Sequence, residues 1–219
     1  MVIKALIAAR SGSERVLDKN TRPFADSSLL EIKIRQLMRI KDLDGVVVNS
    51  NDDYALTLAK RLGCEIVRRD DYFASNDVSM SEVCVNIAEN FDAEVMIYAN
   101  CTNPMILDKT ISDSINRYYE LNSEFDSLNT ATPIKEFLFK DGVPINYTLD
   151  MQPRSQDLPE IYALNFAVNI ISKKTILKTK NIVGEKPYIF ATTRVEGIDI
   201  DDALDFEFAE FLYKKYRRS

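Results

Sequence analysis

The sequence predicts an α/β protein with a doubly wound, mostly parallel β-sheet. Up to about residue 126, short apolar runs alternate with segments of helical periodicity. The apolar runs are continuous, which is typical of strands buried on both faces of a parallel sheet. No linker, repeat or low-complexity segment divides the 219 residues. We therefore expect a single domain spanning residues 1–219.

Four apolar runs predict the strands of the first half. They occupy residues 2–9, 45–48, 64–67 and 95–98. Between them, apolar residues recur at the spacing of one helix face. Two capping boxes, Ser28 with Glu31 and Ser79 with Glu82, predict where two of the helices begin.

The pattern changes in the second half. Strands are predicted at residues 127–132, 161–171 and 188–193, and Lys140-Asp141-Gly142 predicts the turn of a hairpin. A closing helix is predicted from the spacing of Leu204, Phe208, Phe211 and Leu212. Residues 133–190 form a small β-rich excursion in this interpretation. Because it is rich in aromatic residues, we expect it to be a dimer interface.

Composition excludes several classes of function. The net charge is −6, so a duplex nucleic acid partner is not expected. Histidine is absent, which excludes Ser-His-Asp, Cys-His and His-zinc chemistry. The cysteines are odd in number, and their spacing indicates neither a disulfide framework nor a zinc site. The apolar N-terminal run is too short to span a bilayer and has no charged region before it, so we expect a cytoplasmic protein without membrane contact.

The loop after the first strand is the strongest candidate for a site. Ligands of open α/β sheets bind beyond the carboxyl ends of the strands. A Ser-Gly-Ser turn and three cations there suit a triphosphate, although a solvated basic loop is an equal alternative. The residues are Arg10, Ser11, Gly12, Ser13, Arg15, Lys19 and Asn20. Neither a Walker motif nor a dinucleotide-binding glycine motif is present.

A pair of aspartates precedes the closing helix. On an extended chain, Asp199 and Asp201 point to the same face and could hold Mg²⁺ together with phosphate oxygens and water. Helix capping is the alternative role, and it fits Asp202 best. Polar segments around residues 75–77, at Asn100 and at residues 154–165 are weaker candidates.

Five ordered blocks of the sequence resemble the CMP-sugar synthetases. This family comprises the acylneuraminate cytidylyltransferases and relatives that activate pseudaminic, legionaminic and 3-deoxy-manno-octulosonic acids. The order and spacing agree over nearly the whole chain. The blocks lie at residues 8–20, 62–77, 102–104, 156–159 and 198–210.

The resemblance implies a nucleotide-diphospho-sugar transferase-like fold, a homodimer, CTP as substrate and Mg²⁺ as cofactor. The implied nucleotide-binding residues are Ala8, Arg10, Ser11, Gly12, Ser13, Lys19, Asn20, Asp77 and Asn100. The implied sugar-binding residues are Arg154, Gln156, Tyr162 and Asn165. The implied catalytic residues are Arg10, Arg15, Lys19, Asp199 and Asp201, of which the two aspartates would hold the metal.

Four positions depart from the family pattern. Glu14 and Leu17 replace a frequent Lys and a Pro or Lys in the first loop. Phe166 replaces a common Gly, and Asn169 replaces a frequent Tyr. Glu14 adds a negative charge beside the phosphate loop, and the other pair changes the expected sugar pocket.

The implied activity is transfer of CMP from CTP to the anomeric hydroxyl of a 2-keto-3-deoxy sugar acid, sialic acid or a bacterial analogue, with release of pyrophosphate. Three alternatives stay open at this point. They are the same reaction on 3-deoxy-manno-octulosonate, a metal-dependent glycosyltransferase that uses the Asp-x-Asp sequence, and a non-catalytic relative that binds nucleotide.

Overall fold

A seven-stranded sheet forms the centre of the computed structural model, which describes residues 1–13 and 15–217. The elements up to residue 98 are β1 (Ile3–Ala8), β2 (Pro23–Phe24), β3 (Ser27–Ser28), α1 (Leu29–Leu37), β4 (Gly45–Ser50), α2 (Asp53–Arg61), β5 (Glu65–Arg68), α3 (Met80–Glu89) and β6 (Val95–Tyr98). The later elements are α4 (Asp108–Glu120), β7 (Ser127–Ile134), β8 (Phe139–Lys140), β9 (Val143–Pro144), β10 (Ile161–Ser172), α5 (Lys173–Thr179), β11 (Pro187–Ala191) and α6 (Ala203–Tyr216).

The strand order across the sheet is β11-β7-β10-β6-β1-β4-β5. β10 runs antiparallel to both of its neighbours, β6 and β7. The other neighbouring pairs of this sheet are parallel. The prediction of a mostly parallel sheet is therefore confirmed.

Helices cover both faces of the sheet, which explains the continuous apolar strands. In β1, Ala5 and Ile7 pack into one apolar cluster, and Leu6 between them packs into a second. Ile34 of α1 belongs to the first cluster, and Ile87 of α3 belongs to the second. Side chains on both faces of each central strand are therefore buried against apolar residues. This is why the strands do not alternate apolar and polar residues.

Helix caps follow the sequence closely. The Ser79 capping box is present in full. The Ser28 side chain accepts a hydrogen bond from the Glu31 amide, but the Glu31 carboxylate binds Arg35 and does not close a capping box. Asp202 caps α6, which confirms its predicted capping role.

One prediction about the second half needs correction, and one helix there was missed. The predicted excursion at residues 133–190 is too long, because β10 and β11 belong to the central sheet. Only the segment between β7 and β10 leaves the sheet, and it carries the predicted hairpin of β8 and β9. Asp141 and Gly142 both have positive φ, as a type I′ turn requires. The short helix α5 was not predicted.

The closing helix is present, but the residues whose spacing predicted it do not form its buried face. Leu204, Phe208 and Phe211 are exposed. Phe206 and Ala209 are buried instead, and Phe206 packs edge-on against Phe24 with ring centroids 5.3 Å apart. No helix among the described residues is long and apolar enough to cross a membrane.

Candidate active site

A cavity of about 400 Å³ opens at the carboxyl ends of β1 and β6. These parallel strands are neighbours in the sheet. β4 lies on the other side of β1, so the strand order reverses direction at β1. Such a switch point is where open α/β sheets bind ligands. The lining residues are Ala8, Arg10, Ser13, Arg15, Lys19, Asn20, Asn76, Asn100, Cys101 and Thr102.

The cavity brings together most of the residues proposed to bind nucleotide. The first loop contributes three cations, and the end of β6 contributes Asn100. Asn76, Cys101 and Thr102 also line the cavity but were not among the predicted site residues. The sequence signal for the last two was their position directly after β6, at the sheet edge where the first loop also lies.

Arg10 joins the first loop to the segment before α3. Its guanidinium donates hydrogen bonds to the Ala74 carbonyl at 2.8 Å and to the Asn76 side chain at 2.9 Å. Asp77, the residue predicted from this segment, is exposed and absent from the cavity lining, and its amide donates to the Ser75 hydroxyl. The contact therefore places Asn76 at the cavity.

The Ser11-Gly12 turn is held from the side of β4. The Ser11 amide donates to the Asn51 side chain at 2.9 Å, and the Asn51 amide group donates back to the Ser11 hydroxyl at 2.8 Å. Gly12 has φ +75°, a conformation that costs L-residues free energy. Ser11 and Gly12 shape the loop but do not line the cavity. Glu14, the departure beside them, lies outside the described residues.

Two cations of the loop approach the aspartate pair. The Lys19 ammonium donates to the Ile200 carbonyl at 2.7 Å, and Arg15 pairs with Asp201 at 3.1 Å. Burial lowers the pKa of Lys19, and the charges of Asp199 and Asp201 oppose that shift. Removing the two carboxylate charges would therefore lower the pKa of Lys19 further.

Asp199 is the more buried carboxylate of the pair. Burial raises its pKa, whereas a hydrogen bond with the Thr102 side chain lowers it. One carboxylate oxygen, Oδ1, is buried without a hydrogen-bond partner. An ionised oxygen in that state is unfavourable unless a cation reaches it.

The two aspartates fit a hard divalent cation whose other ligands come from elsewhere. Carboxylate oxygens suit Mg²⁺, which usually takes one or two carboxylates and completes its octahedron with phosphate oxygens and water. The described residues contain no group of three or more acidic, cysteine or histidine side chains able to hold a metal. A metal here would therefore depend on the phosphates of a ligand.

The predicted sugar-binding residues are not gathered at this cavity. Arg154 and Gln156 are exposed, and Arg154 donates to Asp157 at 2.6 Å. The Tyr162 hydroxyl donates to Glu160 at 3.0 Å. None of these residues is part of the cavity lining. They lie on or beside the segment that leaves the sheet, and their predicted role stays a prediction.

Asn165 is buried, and its side chain is engaged within the protein. Its amide donates to the hydroxyls of Thr132 and Thr192, and its oxygen accepts from Thr130 and from the Ala167 amide. These four bonds hold β10 where its register with β7 shifts between Leu164 and Asn169. The side chain has no hydrogen-bonding group left over for a sugar.

The fold and the cavity define a nucleotide-binding α/β protein of the nucleotidyltransferase class. The chain belongs to the cytidylyltransferase family, whose sequence model matches residues 4–193. The resemblance to the CMP-sugar synthetases is thereby confirmed, and the protein is a nucleotidyltransferase.

Individual proteins support the same assignment. The chain is 28% identical to a pseudaminic acid cytidylyltransferase of Campylobacter jejuni, with 95% of each chain covered. It is 24% identical to an N-acylneuraminate cytidylyltransferase of Escherichia coli, covering 99% of this chain and 53% of the relative. A CMP:2-keto-3-deoxy-manno-octonic acid synthetase solved with CTP superposes with a TM-score of 0.72 at 11% identity, covering 98% and 99% of the two chains. The last likeness shows the fold alone.

Proposed function

We propose that this cytidylyltransferase transfers CMP from CTP to the anomeric hydroxyl of a 2-keto-3-deoxy sugar acid and releases pyrophosphate. The observation that carries the proposal is the convergence of Arg10, Arg15 and Lys19 on a cavity beside Asp199 and Asp201. The names of the relatives, which act on pseudaminic and N-acylneuraminic acids, support a sugar acid as acceptor.

Positioning and charge stabilisation carry this reaction, because phosphoryl transfer asks little covalent chemistry of the protein. The sugar hydroxyl attacks the α-phosphorus of CTP, and the bond to the pyrophosphate oxygen breaks. Arg15 and Lys19 would neutralise the charge that develops on the leaving pyrophosphate. Arg10 would hold the nucleotide against the segment that contains Asn76.

Asp199 and Asp201 would hold Mg²⁺ in this proposal. The unpartnered buried oxygen of Asp199 supports the assignment, because a bound cation would satisfy it. When bound, the metal would neutralise phosphate oxygens and lower the pKa of the attacking hydroxyl. Lys19 and Arg15, which contact this segment, would then turn toward the phosphates.

The eight-carbon acid 3-deoxy-manno-octulosonate is the second candidate acceptor. The synthetase of that sugar shares this fold, although a shared fold does not identify the acceptor. The sequence relatives favour nine-carbon N-acylated acids. Both candidates require the same nucleotide site, so only the acceptor distinguishes them.

Pyrophosphate release tests the proposed function. The purified protein is incubated with CTP, Mg²⁺ and a panel of eight- and nine-carbon 2-keto-3-deoxy sugar acids, and the CMP-sugar product is identified by mass spectrometry. We expect release with at least one acid. CTP binding without release across the panel would favour a non-catalytic nucleotide-binding relative. Hydrolysis of a UDP-sugar would instead favour a glycosyltransferase.

The metal assignment makes a separate prediction. We expect Asp199→Asn to lower kcat by about 10²–10³-fold, because an electrostatic group of this kind typically contributes that much to the rate. The exposed Asp92→Asn serves as control, and CTP affinity is titrated with and without Mg²⁺. Near-normal turnover of Asp199→Asn at limiting Mg²⁺ would rule out the assignment.

A further inference from the structure

Lys33 is a buried cation in the middle of α1 that the proposed mechanism leaves unused. Its side chain is fully buried, and its ammonium donates hydrogen bonds to the Asn103 carbonyl and to the Gln36 side-chain oxygen at 3.0 Å each. Both acceptors are uncharged. Burying an ammonium against neutral oxygens is unfavourable, whereas an apolar side chain that packs well carries no such penalty. The stability of the core therefore does not explain why a lysine occupies this position.

Gln36 fixes the direction of the Lys33 ammonium. It lies one turn further along α1 and is itself buried. Its amide group donates to the Ile106 carbonyl at 2.7 Å and to the Asp108 carboxylate at 2.9 Å, so its oxygen is left to accept from Lys33. The helix α1 therefore holds the segment between β6 and α4 at two points, at Asn103 and again where α4 begins.

Asn103 joins Lys33 to the segment before α6. Its carbonyl accepts from the Lys33 ammonium, and its fully buried side chain donates to the Ile198 carbonyl at 3.1 Å. The same side chain donates to the Asn165 carbonyl at 3.1 Å. One residue therefore receives the ammonium on its backbone and holds, through its side chain, the backbone next to Asp199.

Thr102 supplies a second connection, which leads directly to the proposed metal ligand. Its carbonyl accepts from the Ile200 amide at 3.0 Å, and its side chain forms a hydrogen bond with Asp199. Thr102 also lines the cavity at the carboxyl ends of β1 and β6. A displacement of Asn103, its neighbour in the chain, would therefore move both Thr102 and the Asp199 carboxylate.

We propose that Lys33 is a positioning residue for the reaction, because it sets the place of the Asp199 carboxylate through Asn103 and Thr102. This inference rests on the proposed function. Residues that orient a metal ligand from behind typically contribute about 10–100-fold to metal affinity or activity. Lys33 is buried behind the cavity and is not part of its lining, so it acts through the placement of Asp199.

The Mg²⁺ requirement of the Lys33→Met variant tests the inference. Methionine is unbranched like lysine but donates no hydrogen bond, so the Asn103 carbonyl loses this partner. We expect the Mg²⁺ concentration for half-maximal pyrophosphate release to rise by about tenfold or more, whereas excess Mg²⁺ restores most of kcat.

CTP binding provides a readout that does not depend on turnover. Isothermal titration of Lys33→Met with CTP should give the wild-type affinity in the absence of Mg²⁺, because the cations of the first loop are untouched. The gain in CTP affinity on adding Mg²⁺ should be about tenfold smaller than in the wild-type protein.

A second variant interrupts the next hydrogen bond in the series. Asn103→Leu leaves the lysine in place but removes the donor to the Ile198 carbonyl, and it should reproduce the raised Mg²⁺ requirement if Lys33→Met does not fold. Ile115→Val, in the buried face of α4, is the control. It should lower stability without touching these hydrogen bonds, and its Mg²⁺ requirement should match that of the wild type.

The outcomes separate this inference from the proposed function. A folded Lys33→Met or Asn103→Leu variant with the wild-type Mg²⁺ requirement would overturn the inference and leave cytidylyl transfer intact. A loss of kcat that excess Mg²⁺ does not restore would overturn it as well, because Lys33 would then act on the fold and not on the metal site. No pyrophosphate release by the wild type with any acid would contradict the proposed function, and the CTP titrations would then decide the inference alone.

Discussion

Lys33 is a buried ionisable residue that contributes to the pH dependence of stability. It lies on α1, fully buried, and its ammonium donates to the neutral oxygens of Gln36 and Asn103 at 3.0 Å each. Burial lowers its pKa to about 8, and the Arg217 charge contributes to that shift while Asp108 and Cys101 oppose it. Helical spacing did not predict that this side chain is buried.

We expect Lys33 to make the free energy of unfolding rise with pH between pH 7 and 9. Its pKa is lower in the folded protein than in the unfolded chain, so the unfolded chain binds the proton more tightly. Unfolding is therefore favoured by protonation, and the free energy of unfolding rises by about 1 kcal/mol between pH 7 and 9 from this group. Denaturant titrations at several pH values measure the effect.

The control for this prediction is Lys33→Met, which should lose the rise, beside the exposed Lys60→Met, which should keep it. The window ends near pH 9 because burial raises the pKa of Cys101 to about 12 and the pKa of Cys64 to about 11. Above pH 9 these two thiols lose their protons in the unfolded chain but keep them in the folded protein, which outweighs the continuing gain from Lys33, so stability falls. An identical pH profile for wild type and Lys33→Met would contradict the account.

At the scale of elements, hydrogen bonds join the register shift in β10 to two segments beside the cavity. Asn165 holds this shift from inside, and the Asn103 side chain donates to the Asn165 and Ile198 carbonyls at 3.1 Å each. The segment after β6, the turn in β10 and the approach to Asp199 are thereby joined. An error in one of them would displace the other two.

Asn165→Ala should therefore act through stability. Its removal leaves two buried threonine hydroxyls, the part-buried hydroxyl of Thr132 and one buried amide without this partner, and we expect a loss of about 2–4 kcal/mol in the free energy of unfolding. Thermal and denaturant unfolding measure it, with the exposed Asn90→Ala as control. Unchanged stability together with a raised KM for the sugar would restore the predicted binding role.

The sequence predicts an element well where the pattern of apolar residues matches the side chains that are buried in the structure. β1, β4 and β6 were identifiable because both faces of the sheet are covered, so their apolar runs are uninterrupted. The buried face of α6 was predicted wrongly because its exposed face carries Leu204, Phe208 and Phe211. Apolar spacing alone does not distinguish a face that meets the core from one that meets solvent or a partner.

The candidate site was only partly predictable. The first loop follows a strand that periodicity identifies, so its cations could be placed at the sheet edge. The segment around Asn76 was only a weak candidate, and the sequence favoured Asp77 within it, because the Arg10 hydrogen bond that places Asn76 joins residues far apart in sequence. Likewise, the Asn165 side chain bonds to residues of β7 and of the chain after β11. These partners are distant in sequence, so no local pattern predicts the bonds.

At the scale of the whole molecule, the segment between β7 and β10 exposes apolar side chains. Leu149 is 72% exposed and Met151 is 75% exposed, and Phe139, Val143 and Ile145 are also exposed. Such a concentration is typical of an interaction surface. We propose that it forms a homodimer interface, as expected from the family resemblance.

Charged substitutions in that segment test the dimer. We expect the double variant Leu149→Glu and Met151→Glu to shift the protein from dimer to monomer in sedimentation or light-scattering measurements, because burying two carboxylates in an apolar interface is unfavourable. Met38→Glu, at an exposed apolar position directly after α1, should leave the mass unchanged. A wild-type protein that is monomeric at all concentrations would contradict the proposal.

The most direct test of the central claim is the dependence of pyrophosphate release from CTP on Lys19. Its ammonium lines the cavity at the carboxyl ends of β1 and β6 and donates to the Ile200 carbonyl, between Asp199 and Asp201. The account predicts that Lys19→Met lowers kcat/KM for CTP by about 10²–10³-fold, whereas the exposed Lys41→Met has no effect. Equal release by wild type and Lys19→Met would show that CTP reacts elsewhere and that the cavity between β1 and β6 is not the active site.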